Sequence, residues 1–100
     1  MLDKIQNWLE NGQQIGKAIY ELKDQQLYHT SVAIQKWQDL YKVSVTEIAE
    51  ANMVAEQFDF DEVSTFRSFD EVVVFFAHNS PVALLELKPL KGQKLFNPAF

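Results

Sequence analysis

The sequence predicts an α+β fold, in which one antiparallel sheet carries helices packed on one face. Three observations support this prediction. Apolar residues recur at helical spacing in residues 2–9, alternate with polar residues in 41–46, and favour another helix after a capping motif at 68–71. A chain of 100 residues, 47% of them hydrophobic, can bury one core, so we expect a single globular domain spanning residues 1–100. A mainly α fold is the alternative, because several segments fit both the helical and the strand period.

The first element is a short helix at about residues 2–10. Its apolar positions fall on one stripe and comprise Leu2, Ile5, Trp8 and Leu9. Asn11 and Gly12 follow directly, and glycine readily adopts the left-handed conformation that ends many helices. The sequence therefore predicts a helix that ends before Gly12.

Residues 14–37 allow two interpretations. The apolar positions between 15 and 22 match a helical stripe, but Ala18, Tyr20 and Leu22 would also share one face of a strand. Residues 28–34 are rich in β-branched side chains, which favours a strand. Residues 37–40 would then connect two strands of a hairpin.

A strand is predicted at residues 40–46, where apolar residues at the odd positions alternate with polar ones. The alternative is a helix over residues 44–51, because Ser44–Glu47 matches a capping box. Residues 57–66 also alternate between apolar and polar side chains, which predicts another strand.

The clearest helix begins after Ser68. The segment Ser68–Glu71 is a capping box with two acids in the first turn, where the helix dipole favours negative charge. Apolar residues between 72 and 76 supply a wide buried face. Pro81 follows soon after and cannot continue a helix, so we expect the helix to end just before it.

The last part of the chain is less regular. Residues 82–87 predict either a further strand or a short helix. The segment 88–100 is punctuated by Pro, Lys and Gly but contains Leu95, Phe96 and Phe100, which give it apolar surface for docking. It is therefore predicted to pack on its own domain or to contact a second copy or another protein.

Composition excludes several classes of protein. The chain has no cysteine, which excludes disulfide frameworks, cysteine-based zinc sites and thiol catalysis. Its net charge of −5 argues against direct binding of nucleic acid. No apolar run is long enough to cross a membrane, and the first residues lack the pattern of a signal peptide. We therefore expect a cytoplasmic protein that does not contact a membrane.

Residues suited to catalysis are few. The two histidines, His29 and His78, are expected to lie at the surface or to cap an element. The glycines at 12 and 16 lack the lysine and hydroxyl pattern of a phosphate-binding loop, and no nucleophile elbow is present. The sequence therefore predicts a protein that is not an enzyme and that uses no metal and no cofactor.

Acidic residues concentrate in the middle of the chain. Residues 47–71 hold eight acids and one arginine, a net charge of −7, whereas residues 1–46 are neutral. Such an acidic surface attracts a basic partner, and nearby aromatic side chains can anchor it. The predicted partner-binding residues are Asp59, Asp61, Glu62, Asp70 and Glu71, with Phe58, Phe60 and Tyr41 as apolar anchors.

The function class that fits these features is a small acidic binding protein. We expect an immunity-type inhibitor that masks a basic protein, such as a nuclease toxin or another nucleic-acid-handling enzyme. A chain of this size can present a standard interface of about 800 Å². The alternative is a structural or accessory subunit, or a homodimeric interaction protein, without catalytic activity.

Overall fold

The computed structural model describes residues 2–52, 60–91 and 94–99. Within these residues, two helices, α1 and α2, and five strands, β1–β5, form an α+β fold, as the sequence predicts. Their bounds are α1 Leu2–Glu10, β1 Ile15–Lys23, β2 Gln26–Trp37, β3 Leu40–Ala49, β4 Phe60–Phe66, α2 Phe69–His78 and β5 Lys88–Pro89. Two short 3₁₀ helices cover Glu50–Asn52 and Leu84–Glu86.

All the strands pair antiparallel in the order β4-β3-β2-β1-β5. Cross-strand partners share a face of the sheet, so Ile15, Ile34 and Val43 lie side by side. This face, the helix-side face, also carries Val32 and Val45. Its buried residues join side chains of both helices in one core, among them Ile5, Leu9, Val72 and Phe76. The prediction that the helices pack on one face is therefore confirmed.

Local signals locate both helices correctly. Helix α1 ends before Gly12, which has a φ of 81° and donates its N–H to the carbonyl of Leu9. Helix α2 is capped by Ser68, whose hydroxyl accepts the backbone N–H of Glu71. Neither helix is long and apolar enough to cross a membrane, as far as the described residues extend.

The ambiguous segments form strands. Residues 14–37 contain β1 and β2, and β3 continues to Ala49, so the alternative helix over 44–51 and the mainly α fold are wrong. The predicted strand at 57–66 is confirmed from Phe60 onward, while residues 57–59 lie outside the described residues. Residues 82–87 contain a 3₁₀ helix instead of a strand.

Both hairpin turns are built from two residues with positive φ. Asp24 and Gln25 have φ values of 49° and 64°, and Gln38 and Asp39 have φ values of 52° and 65°. Positive φ at both central positions defines the type I′ turn, whose twist matches that of paired strands. Residues other than Gly, Asn and Asp, here Gln25 and Gln38, adopt this conformation at a cost of about 1–2 kcal/mol each. The turns therefore hold strain that glycine would relieve.

Replacing Gln25 by Gly is expected to stabilise the fold by about 0.5–1 kcal/mol. The gain arises because Asp-Gly is a favoured type I′ pair. The gain in stability is smaller than the strain energy relieved at position 25, because glycine loses more backbone conformational entropy on folding than glutamine. Urea denaturation measures it. Gln25→Ala is the control and should give no gain, because alanine has a Cβ like glutamine. Equal stability of the two variants would contradict the strain argument.

The C-terminal tail, residues 94–99, packs on the face of the sheet opposite the helices, which we call the second face. Leu95 donates its N–H to the side chain of Gln14 over 2.8 Å, and Gln14 donates to the carbonyl of Phe96 over 3.0 Å. Leu95 also lies over Gly16, and Pro98 is buried. Of the two predicted roles of this segment, the described part therefore packs on its own domain.

Candidate partner-binding site

Strand β4 forms one edge of the sheet and carries three of the predicted partner-binding residues. Glu62 is paired with Val45 and lies on the helix-side face, as does Phe60, which is 46% exposed. Asp61 is paired with Thr46 and lies on the second face. The carboxylates of Asp61 and Glu62 therefore point to opposite faces of the sheet. They lie near each other only along the edge that β4 forms.

Two more of the predicted acids lie in the first turn of α2. Asp70 and Glu71 are both exposed there. A negative charge at this end of a helix interacts favourably with its dipole, which gives these acids a local structural role. Arg67 lies exposed between β4 and α2, so residues 60–71 carry four acids and one base.

The remaining predicted partner-binding residues are Phe58, Asp59 and Tyr41. Phe58 and Asp59 lie outside the described residues. Tyr41 needs a correction: its ring is 5% exposed and belongs to the core, so it cannot serve as a surface anchor. Tyr41 lies on the helix-side face together with Val43 and Val45, and all three side chains are buried there.

Tyr41 instead joins helix α1 to the sheet. Its hydroxyl donates to the Glu10 carboxylate over 3.0 Å, and the Lys36 ammonium donates to the same carboxylate over 2.7 Å. The hydrogen bonds from Lys36 and Tyr41 hold the pKa of Glu10 below its ordinary value. Burial, together with the bond to Glu10, raises the pKa of the Tyr41 hydroxyl. Tyr41 therefore stays protonated and acts as a structural link.

A cleft of about 240 Å³ lies between β4 and α2. Its lining consists of Val45, Phe60, Glu62, Ser64, Phe75 and Asn79. The Ser64 hydroxyl donates to the Glu62 carboxylate over 3.1 Å, and the ring of Phe75 rests 5.2 Å from that of Phe66. The cleft is smaller than the roughly 300–1,000 Å³ of typical small-molecule sites, so its size suits one side chain. It presents one carboxylate and two aromatic rings.

The four acids on β4 and α2 have no basic partner among the described residues. The ion pairs of the described chain involve other acids and include Lys17–Glu86, Lys23–Glu47 and Lys36–Glu10. Glu47 belongs to the acidic segment 47–71, so Lys23 neutralises one of its charges. Asp61, Glu62, Asp70 and Glu71 take part in none of them. Their negative charge therefore remains available to a cationic group from outside the described chain.

Sequence reasoning missed the residues that complete the cleft. Phe75 was assigned to the buried face of α2, yet its ring also lines the cleft. Ser64 lies two residues after Glu62 on β4, and residues two apart on a strand share a face. The strand prediction therefore already placed them on one face. What the sequence could not supply was the position of α2 above that face, which depends on the tertiary fold.

The histidines and carboxylates of the described chain form no metal-binding group of three or more. His78 is exposed in the last turn of α2, in agreement with its prediction. His29 lies on the second face against Tyr20, with ring centroids 4.4 Å apart, and its Nε2 is buried with no hydrogen-bond partner in the described chain. His29 is therefore less exposed than the sequence suggested.

The geometry of β4 and α2 thus presents a small acidic and aromatic cleft at one sheet edge. Comparison of the chain with protein-family models, with curated proteins and with solved structures finds no significant match. Any function must therefore be inferred from the residues of this chain and their arrangement.

Proposed function

We propose that the surface formed by β4 and the start of α2 binds a basic protein partner. The observation that carries this proposal is the cleft, which Glu62 lines together with the rings of Phe60 and Phe75. A carboxylate beside aromatic rings suits an arginine or lysine side chain. The carboxylate pairs with the cationic group, and the rings contact the aliphatic part of the side chain. The partner therefore inserts one cationic side chain between β4 and α2.

The acids around the cleft extend the contact. Asp70 and Glu71 lie exposed at the start of α2, and Asp61 projects from the other face of the same edge strand. Charges of one sign speed the capture of an oppositely charged surface and fix its orientation. Phe60 supplies exposed apolar area next to these charges, and aromatic residues contribute much of the binding energy at interfaces.

The partner class that fits best is an enzyme that handles nucleic acid. Such enzymes carry lysine and arginine in the groove that holds phosphate groups. A small acidic domain that covers the groove inhibits the enzyme by competing with the substrate. This is the action of an immunity-type inhibitor, and it needs no catalytic group, metal or cofactor.

Glu62→Gln is expected to raise the dissociation constant for a short arginine-rich peptide about tenfold. The substitution removes the charge but keeps the size of the side chain, and a hydrogen bond to a charged group contributes about 1.5–3 kcal/mol. Nuclear magnetic resonance measures both the affinity and the site, and in the wild type the shifts should centre on Phe60, Glu62 and Phe75. Added salt should weaken the binding.

Asp24→Asn is the matched control, because it removes one negative charge at the turn between β1 and β2 and should leave the affinity unchanged. An equal effect of the two variants would show that only net charge matters. Where a neighbouring gene encodes a nuclease, that nuclease tests the partner class. The wild-type chain should block its cleavage of nucleic acid, and a Glu62→Lys chain should not. An unaffected nuclease would contradict the proposed inhibitor role.

A further inference from the structure

The opposite edge of the sheet, formed by β1, is largely uncovered. Strand β5 pairs with β1 only at Ile15 and Gly16. No other described strand pairs with this edge, so residues 17–23 form a free edge of seven residues. Unpaired backbone groups along such an edge can pair with another strand.

The outward backbone groups of β1 can be assigned from its turn. The two-residue turn after Lys23 makes Lys23 and Gln26 a hydrogen-bonded pair, and the bonding direction then alternates along the strand. Even-numbered residues therefore direct their N–H and C=O groups away from β2. The hydrogen bond from the N–H of Leu90 to the carbonyl of Gln14 agrees with this assignment. Ala18, Tyr20 and Leu22 thus offer three donors and three acceptors.

The same residues place apolar side chains beside the free edge. Tyr20 is 65% exposed and Leu22 is 74% exposed, both on the second face. Natural sheet edges are usually protected by charged side chains or proline, and this face of the β1 edge has neither in its free part. Its backbone and its side chains therefore both favour coverage by another chain.

We propose that β1 pairs antiparallel with β1 of a second copy, with the two-fold axis at Tyr20. In this register Tyr20 lies opposite Tyr20 of the second copy, and Ala18 lies opposite Leu22 of the second copy. Every outward N–H and C=O of the three residues is then paired, which gives six hydrogen bonds. The large side chain of Leu22 meets the small one of Ala18, and Leu95 over Gly16 extends the apolar contact.

The register shifted towards the start of β1 is excluded by β5. Placing Ala18 opposite Tyr20 of the second copy would bring Leu22 against Gly16, whose outer side is already paired with Lys88. The register centred on Tyr20 uses residues 17–23 and stops where β5 begins. The length of the free edge therefore matches this pairing of two identical strands.

The charges on the helix-side face are compatible with the pairing. Lys17 would lie opposite Lys23 of the second copy, but both lysines already have partners in their own chain. Lys17 pairs with Glu86 and Lys23 pairs with Glu47, each over 3.0 Å. Glu21 would lie diagonally across from Lys17 of the second copy, which adds an attraction. The dimer would place its two β4 edges at the far ends of one continuous sheet, so each copy keeps its acidic cleft open.

Ala18→Pro tests the pairing. Proline removes an outward N–H but none of the N–H groups bonded to β2, so the fold of the single chain is retained. Light scattering of the wild type over a concentration series should give twice the mass of one chain, and the variant should raise the dimer dissociation constant at least about tenfold. Leu22→Thr keeps a strand-forming residue and should also weaken the dimer, through lost apolar contact.

Thr65→Pro is the matched control, because it removes an outward N–H at the β4 edge and should leave the dimer intact. Amide hydrogen exchange gives a second measurement. The N–H groups of Tyr20 and Leu22 should be protected in the wild type and should exchange quickly in Ala18→Pro or at high dilution. A single-chain mass at all concentrations overturns the proposal, as does a dimer that Thr65→Pro dissociates and Ala18→Pro does not.

Discussion

Replacing Gln14 by Leu is expected to destabilise the fold by about 2–3 kcal/mol and to release the C-terminal tail. The Gln14 side chain is 5% exposed and makes three hydrogen bonds, to Gln35 over 2.9 Å and to the backbone of Leu95 and Phe96. Leucine has a similar volume but no polar atoms. The Gln35 side-chain oxygen would lose this bond while buried, which costs about 1–3 kcal/mol.

Gln13→Leu is the control, since Gln13 is exposed and no hydrogen bond of its side chain to a described residue is lost. Urea denaturation should separate the two variants clearly. Trypsin cleavage after Lys94 should become faster in Gln14→Leu, because a released tail is open to proteases. If both variants had equal stability and equal cleavage rates, the tail would be held by its apolar contacts alone.

Replacing Gly16 by Val is expected to cost about 3 kcal/mol. A Cβ at this position would lie 2.7 Å from the backbone oxygen of Val32 and 3.1 Å from both the Ala33 Cβ and the Leu95 side chain. The Val32 oxygen belongs to a central strand and cannot move aside alone, so β1 and β2 would have to separate locally. Overpacking of this kind typically costs 1–3 kcal/mol, and displacement of Leu95 adds to it.

Ala18→Val provides the comparison for Gly16→Val, because Ala18 lies on the same face of β1, is exposed, and is covered by no described part of the tail. Its effect should stay within about 0.5 kcal/mol at equal protein concentration. The amide resonances of Leu95 and Phe96 should shift strongly in the Gly16 variant. Unchanged stability and unchanged tail resonances would show that β1 and β2 can separate at this point without loss.

The sequence predicted those elements that carry their own local signals. Helix α2 has both a capping serine and acids in its first turn, and α1 has Gly12 at its end. Strand β1 was ambiguous because Ile15 and Ile19 fit both periods, and the pairing with β2 decided between them. Tertiary contacts outweigh local propensity in such a segment.

The candidate site was predicted only in part. The acids of β4 and α2 could be found from composition, but which face each one occupies depends on where α2 packs. The alternation that identified β3 also placed Tyr41 beside Val43 and Val45, and this pattern already favoured burial over an exposed anchor role. The contact of Gln14 with Leu95 joins residues 81 positions apart, which no local pattern specifies.

The order of the strands bears on how the chain folds as it is synthesised. Strands β1, β2 and β3 are consecutive and joined by two-residue turns, so this three-stranded unit can form while later residues are still inside the ribosome. The tail emerges after all of them, and its docking site beside Gln14 is exposed to solvent until then. We therefore expect nascent chains to expose the second face for the longest time around Gly16.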